Sequence, residues 1–462
     1  MHTLIVGGGI AGLVATAVLR EKDPSGQITL IERAPLLGGV LAGVEYPAGR
    51  PGTENGPRYF DHGTHLFRES GCQPLDDRMK AAVSADDLLL YAPGVGGWAG
   101  SVYCGTLQEH SHYPDVRRHP EAVSLKRAID RHIESSPLPA PIERSGPLAP
   151  VARARFGERY ADTVLLPALA AMFRRPADTL AGFALQLPGY TRLIADDAQT
   201  WSRRTQDKHY REIVAVPDQR VMPDALVNPL RRFYARHRGT RSFVDGLRQQ
   251  LEAAGAKLLT GTVLESCDIH TRRAHWRTPD GCAHEVPFDR LVFATGPMGA
   301  ARLCGIDPMS YGFERPLEHR IVNIALDAPT RSDLSYFYAL DPEDAYFRVT
   351  NYRSFSGDAD DTRLSIEVLS DPGADVPPVD RILTRLRAIG FLDRQRPIFT
   401  AVETLAAGFP LPTTNNMQAM ARINADLLAV CPPHVQICGV GSGDGNFFQT
   451  EVLVDVYRRL MA

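Results

Sequence analysis

The sequence predicts an α/β fold: a nucleotide-binding half built on a βαβ unit and interrupted by a mixed α+β substrate domain. Three observations lead there. The stretch LIVGGGIAGL (residues 4–13) sets a glycine-rich turn directly behind an apolar strand. A second apolar strand ending on an acidic residue, ITLIE (28–32), follows within one βαβ length. A second glycine-rich turn between a strand and a helix, VQICGVGSGDGNFF, stands near the other end of the chain.

The elements follow in order. TLIV (3–6) reads as a buried strand, residues 11–21 as a helix with Leu13, Ala17 and Val18 on one side, and 22–27 as a loop. Residues 38–57 are rich in Gly and Pro and read as a long loop. From 107 to 238 the text reads mostly as helices broken by prolines, such as AVSLKRAIDRHI and YADTVLLPALAAMF. A helix is predicted over 242–254, then strand-like text in which TPDG marks a hairpin. Further strands are predicted at 320–327, 345–353 and 362–369. The expected division is 1–106, 239–310 and 406–462 for the nucleotide-binding half. Residues 107–238 form a helical insertion and 311–405 a substrate-domain sheet.

Composition narrows the function. With 462 residues, 44% apolar and 23% charged, the chain can bury a large core. A net charge of −3 gives no reason to expect nucleic acid or anionic membrane as a partner. The seven cysteines are far apart and none forms C-x-x-C, which speaks against a disulfide framework, a zinc site or a dithiol centre. The N-terminal apolar run ends at Val6 and no segment approaches a membrane span, so a soluble cytoplasmic setting is expected.

Gly7-x-Gly9-x-x-Gly12 has dinucleotide spacing. Gly7 permits the tight turn, Gly9 a close backbone approach to a pyrophosphate, and Gly12 the packing of helix on strand. Ile10 and Ala11 open that helix, whose N–H groups and partial positive charge suit phosphates. Glu32 stands where a carboxylate accepts the adenosine ribose hydroxyls, with Arg33 beside it. NAD and FAD both fit this much. The Gly38-Gly39 doublet and the C-terminal turn, with Gly441, Asp444, Gly445, Asn446 and Phe447 as candidates, favour FAD.

VGGGIAGL, IER…LLGG, YFDHGTHLF, FDRLVFATG and GVGSGDGNFFQTEVLV together resemble the amine oxidase and protoporphyrinogen oxidase superfamily of FAD proteins. UDP-galactopyranose mutases and phytoene desaturases are in the same broad group. The resemblance covers about the first 110 residues, the 240–300 region and the last 30, and leaves the middle uncovered. It implies a Rossmann-like FAD-binding domain. Gly7, Gly9, Gly12 and Glu32 would hold the ADP half, and Gly38 and Gly39 would lie near the pyrophosphate and flavin. Backbone of Val263, read as a strand core residue, would meet the adenine, and residues 445–447 the flavin ring.

The resemblance also implies that residues 58–69 return toward the flavin. Gly63-Thr64-His65-Leu66-Phe67 is similar to the mutases' Gly-x-His-x-Phe, but Arg68 stands where they carry a second histidine. His65 is the candidate proton-transfer group; His62 and His65 alternatively only satisfy loop backbone. Gln108, His110, His112 and Tyr113 are pocket candidates. The arginines at 174, 175, 203, 204, 231, 232, 348 and 353 are candidate clamps for an anionic substrate, with Arg348 foremost and, on a regular strand, facing opposite to Arg353. No metal site is expected, and Cys72 and His65 are only nominal anchors for covalent FAD.

The expected function is FAD-dependent oxidation of a C–H or C–N bond of a small organic substrate, by hydride transfer to flavin N5. Oxygen or another acceptor would reoxidise the flavin. The alternative is non-redox flavin catalysis on a sugar nucleotide, as in the mutases. A flavin-binding protein without turnover is a third possibility.

Overall fold

The computed structural model describes residues 1–54, 56–443 and 445–461. Five parallel strands form its first layer, in the spatial order Lys257–Leu259, Gln27–Ile31, His2–Val6, Arg290–Phe293, Val435–Ile437. The N-terminal strand is central, with Ile5 opposite Leu30 on one side and Val292 on the other. Alternation along each strand decides the packing. Ile5, Leu30 and Val292 meet Leu13, Val14 and Val18 of helix Ile10–Lys22 and Val452 and Val456 of helix Gln449–Met461. Leu4, Val6, Leu291 and Phe293 point the other way. They meet Ala300 of helix Gly296–Leu303, Ile423 of helix Thr414–Val430, and Trp276 of a three-stranded meander. Covering both faces is what makes these strands continuous apolar runs. This is the α/β class the sequence predicts, and TPDG does turn the hairpin between Arg273–Arg277 and Ala283–Pro287.

The second layer is a seven-stranded sheet in the order Pro397–Phe409, Leu317–Leu326, Arg363–Ser370, Arg348–Asn351, Tyr336–Ala339, Ala99–Tyr103, Thr106–Gln108. Every pairing is antiparallel except that of Tyr336–Ala339 with Ala99–Tyr103. The sheet therefore draws on residues from both sides of position 106. Val322, Ile324, Leu364, Ile366 and Val349 pack on Ile382, Leu383 and Leu386 of helix Val379–Ala388. Near the other face, Leu317, Leu369, Tyr338 and Phe347 join the core of the helical segment, which includes Leu125, Phe156, Leu169 and Tyr190.

Three local expectations are corrected. Residues 345–353 are not one strand: Arg348–Asn351 ends where the chain turns into helix Tyr352–Ser356. The fully buried Tyr352 anchors that turn, its hydroxyl accepting from Asp61 N at 2.7 Å. Strand alternation therefore does not relate Arg348 to Arg353. The 38–57 stretch is not all loop, since Val44–Tyr46 pairs with Arg58–Phe60. Val263 is not a core residue; it begins a meander strand and is 49% exposed.

Asp61 knits these pieces together. It is fully buried and accepts hydrogen bonds from Tyr59 Oη (2.9 Å), Tyr234 Oη, Thr240 N (3.0 Å) and Thr240 Oγ1 (2.7 Å). Removing the acceptor orphans donors from three segments, each costing about 1–3 kcal/mol. Asp61→Ala is expected to lower the unfolding free energy by roughly 3 kcal/mol or more, and Asp61→Asn by less, measured by urea denaturation.

Candidate functional site

The glycine turn is shaped by contacts that exclude side chains at some positions and leave others open. Gly7 has φ +106° and donates to Ile31 O at 2.8 Å. A Cβ on Gly12 would lie 1.9 Å from Gly7 O, so only glycine lets the helix sit this close to the strand. A Cβ on Gly9 would meet nothing within 4 Å. Gly9 thus presents open space at the N-terminus of helix Ile10–Lys22, which has no side-chain cap and no acidic residue in its first turn. Ile10 is partly buried there, Ala11 fully.

Glu32 follows the second strand and grips this turn. Its Oε2 accepts from Gly8 N at 2.6 Å and its Oε1 from Ala34 N at 2.7 Å. Each oxygen keeps a further lone pair. Gly38 bridges to Gly9 and donates to Gly8 O at 2.7 Å; Gly39 lies beside Gly9. Arg33 is exposed. Thr262 N donates to Glu32 O and Gly261 N to Ala34 O, which brings Val263 alongside the carboxylate turn. The spare lone pairs of Glu32, the uncapped helix end and the open face of Gly9 fit a dinucleotide.

The C-terminal turn stands on the same sheet. A Cβ on Gly296 would lie 2.4 Å from Val440 O, and one on Gly441 2.9 Å from Met420 Sδ. Asn424 Nδ2 donates to Gly441 O at 2.7 Å, and Gly441 N to Asn446 O at 2.6 Å. Gly445 has φ +82° and open space beside it. Asp444 lies outside the described residues. Phe447 N and Phe448 N both donate to Glu451 Oε2, and Glu451 pairs with Arg144 of the helical segment. Phe447 packs edge-on against Phe183, ring centroids 5.1 Å apart. Among its contacts this residue therefore has the helical segment, which sequence reading did not anticipate.

The reacting-end candidates meet on the seven-stranded sheet. Alternation puts Ser365, Glu367, His319, Asn323, Arg348 and Thr350 on the face opposite the apolar one. Glu367 is fully buried and directly opposite Arg348, which donates Nε to Oε1 (2.6 Å) and Nη2 to Oε2 (2.9 Å). His319 Nε2 bonds Glu367 Oε2 at 2.9 Å. The Gly63–Thr64 backbone is pressed onto this group: a Cβ on Gly63 would lie 2.9 Å from Glu367 Oε2, and Thr64 N donates to Oε1 at 3.3 Å. His65 Nε2 donates to His62 O at 3.1 Å, which leaves Nδ1 as an acceptor in the neutral ring. Burial pushes both His65 and His62 below the usual imidazole value.

Glu367 and His319 were missed in the sequence. The available signal was a glutamate and a serine two apart within RLSIEVLS, on the same face of a strand too apolar to be exposed. Arg348 has its guanidinium shared between Glu367 and Tyr338 Oη (3.2 Å), so it is braced rather than free.

The remaining candidates have partners inside the chain. Gln108 donates to Ser101 Oγ (2.8 Å), His110 bonds Asp115 (3.0 Å), and His112 packs on Tyr113 and against Gly189. Arg174 bonds Leu369 O, Arg175 pairs with Asp371, Arg203 bonds Thr200 Oγ1, and Arg204 pairs with Asp130. Arg231 pairs with Glu69, Arg232 bonds Gly96 O and Arg353 bonds Ala359 O. Cys72 is a free thiol preceding helix Gln73–Ala81. No group of three or more His, Cys, Asp or Glu is placed to hold a metal among the described residues, and no described helix is long and apolar enough to cross a membrane.

The pH dependence of stability follows from this cluster. Burial alone would raise the Glu367 carboxyl. The Arg348 charge and the hydrogen bonds from His319 and Arg348 override it and hold the group well below the usual range. Its folded value lies below its unfolded one, so its contribution is complete above about pH 5 and drains as the pH falls. His62 and His65 act in the same direction, because below about pH 6.5 the unfolded chain takes up protons that the folded chain refuses. Stability is expected to fall steadily from pH 7 to pH 4. Glu367→Gln is expected to cost about 3–5 kcal/mol at pH 7 and to flatten the limb below pH 5, read by denaturant titration across pH.

Comparison with known proteins agrees with this geometry. The family model described as an NAD(P)-binding Rossmann-like domain matches residues 5–79. No curated protein sequence matches. A reduced UDP-galactopyranose mutase structure superimposes with a TM-score of 0.72 at 15% identity, covering 99% of this chain and 93% of that one. A provisionally named protoporphyrinogen oxidase from Exiguobacterium sp. 255-15 gives 0.65 at 16% identity, covering 100% and 97%. A putrescine oxidase with bound putrescine gives 0.57 at 14% identity, covering 100% and 98%. Residues 5–79 thus form a Rossmann-like segment, and the whole chain has the fold shared by this mutase and these oxidases.

Proposed function

We propose that the chain is an FAD-dependent oxidoreductase acting on a small organic substrate held between the glycine turns and the polar face of the seven-stranded sheet. The observation that carries this reading is the open face of Gly9 at an uncapped helix N-terminus, with the Glu32 carboxylate beside it. That helix end would meet the pyrophosphate, and the free lone pairs of Glu32 the ribose hydroxyls. Backbone beside Val263 would flank the adenine. Gly38, Gly39 and the 441–447 turn would close around the rest. Bound FAD would supply a hydride acceptor at N5. Oxygen or another small acceptor would then take up the electrons.

The chain's own residues divide the remaining work. His65 holds its proton at Nε2 toward His62 O, and its depressed pKa keeps Nδ1 unprotonated near neutral pH, ready to accept a substrate proton. Arg348 stays protonated and is fixed in place by Glu367 and Tyr338, and the N–H groups those partners leave over would hydrogen-bond an anionic substrate. Burial of the surrounding face excludes water.

Non-redox flavin catalysis on a sugar nucleotide is the second reading. The mutase superimposes better than the oxidases, and Gly63–His65 is the segment similar to the mutases' motif. Anaerobic mixing separates the two. Stoichiometric bleaching of the flavin by an amine or other reduced substrate supports the oxidoreductase. Turnover that needs reductant only in catalytic amount supports the mutase class.

Gly9 gives a clean test of cofactor binding. Its φ of −68° is open to any residue and its Cβ position is empty, so Gly9→Val is expected to fold normally. The same variant fills the space that FAD needs and is expected to weaken FAD binding at least ~10-fold, about 1.4 kcal/mol, by fluorescence titration of the apoprotein. Gly12→Val is expected to unfold the turn with or without ligand. Equal FAD affinity in Gly9→Val and the parent would refute the proposed site.

A further inference from the structure

Two thiols that are 127 positions apart in the chain meet in the fold. Cys304 Sγ and Cys431 Sγ lie 3.9 Å from each other, both partly buried. Each caps the C-terminal end of a helix: Cys304 follows Gly296–Leu303 and Cys431 follows Thr414–Val430. These two helices share a second contact. Gly296 and Pro297, at the start of one, and Met420 and Asn424, on the other, brace the turn at Val440 and Gly441. The first helix therefore runs from the C-terminal glycine turn to the sulfur pair, and the second passes the same turn at Met420 and Asn424 before reaching it.

We propose that Cys304 and Cys431 are a redox modification site, closing to a disulfide under peroxide and stapling together the helices that brace the C-terminal glycine turn. The proposal stands whether or not the chain binds FAD. The sulfurs must approach by ~1.9 Å to reach the ~2.05 Å of a disulfide bond. Cys304 is followed by Gly305, whose φ is +76°, so the chain leaves that helix through a residue tolerant of adjustment.

The step balances with hydrogen peroxide as oxidant. The Cys431 thiolate attacks one peroxide oxygen; an S–O bond forms, the O–O bond breaks, and hydroxide leaves and takes a proton to become water. Cys304 sulfur then attacks the sulfenic sulfur; the S–S bond forms, the S–O bond breaks, and the released hydroxide takes the Cys304 proton. Two thiols lose two electrons, peroxide gains two, and two waters form.

The environment also sets the speed. Among the described residues no cation acts on either thiol, and a helix C-terminus opposes a thiolate. The sulfur–sulfur contact with Cys304 is the one interaction that lowers the Cys431 thiol. The pair is thus a slow latch that responds to sustained oxidant, unlike a fast catalytic dithiol.

The test treats the full chain with millimolar hydrogen peroxide, then alkylates free thiols and digests without reductant. Expected are a loss of two of the seven thiols, a 304–431 cross-linked peptide and full reversal by dithiothreitol. Hydrogen exchange in peptides spanning 439–447 should slow on oxidation, and the thermal midpoint should rise by roughly 5 °C. In Cys304→Ser, Cys431 should instead be trapped by a sulfenic-acid probe, with no cross-link; Cys431→Ser should give neither. A cross-link to another cysteine, sulfinic acid at Cys431 without any 304–431 peptide, or unchanged exchange at 439–447 in the cross-linked protein overturns the proposal.

Discussion

The position of the loop that faces both layers depends on one buried carboxylate. Asp61 is met by hydroxyls and an amide, with no cation paired to it among the described residues. Burying an anion is tolerable only when donors surround it. Here they come from the strand Arg58–Phe60, the strand Arg232–Ala235 and the helix Gly239–Ala253, while Tyr352 ties down the Asp61 backbone from the sheet layer. All four segments must be in place at once. Gly63, two residues on, then turns back with φ +94° and donates to Asp61 O, which delivers Thr64 and His65 to the sheet.

The polar face of that sheet carries a second tension. An ion pair as deeply buried as Arg348–Glu367 contributes little net stability, because desolvation offsets the attraction. What it does contribute is fixed geometry: a guanidinium held from two sides, a histidine oriented by the same carboxylate, and a loop backbone pinned on top. A face of leucines and valines, like the one beneath helix Val379–Ala388, would have packed more simply. Under the proposed function, the charge kept there would serve a surface that receives a polar ligand.

The nucleotide-binding half was legible because its signals are local. Gly7, Gly9, Gly12 and Glu32 lie within one βαβ unit: backbone geometry accounts for Gly7 and Gly12, the Glu32 carboxylate reaches Gly8 N inside the same unit, and Gly9 is the position left open. The middle was less legible for the opposite reason. Glu367 acquires its meaning only from Arg348 and His319 on neighbouring strands, and Asp61 from residues 173 and 179 positions away. The short helix after Asn351 was hidden because YFRVTNYR has good strand propensity, and tertiary anchoring of Tyr352 overrode it. Arg348 could be nominated from sequence; that its charge is already shared could not.

The last helix, Gln449–Met461, packs Val452 and Val456 into the same core as Val14 and Val18 of the first. During synthesis helix Gly239–Ala253, with Phe243 and Val244 in the same core, reaches that apolar stripe first, and the rest of its cover waits for residues about 440 positions downstream. The five-stranded layer is thus opened by one helix and completed only when a helix far downstream of it has been made. Until then its nascent form exposes a sticky surface of the kind that chaperones shield.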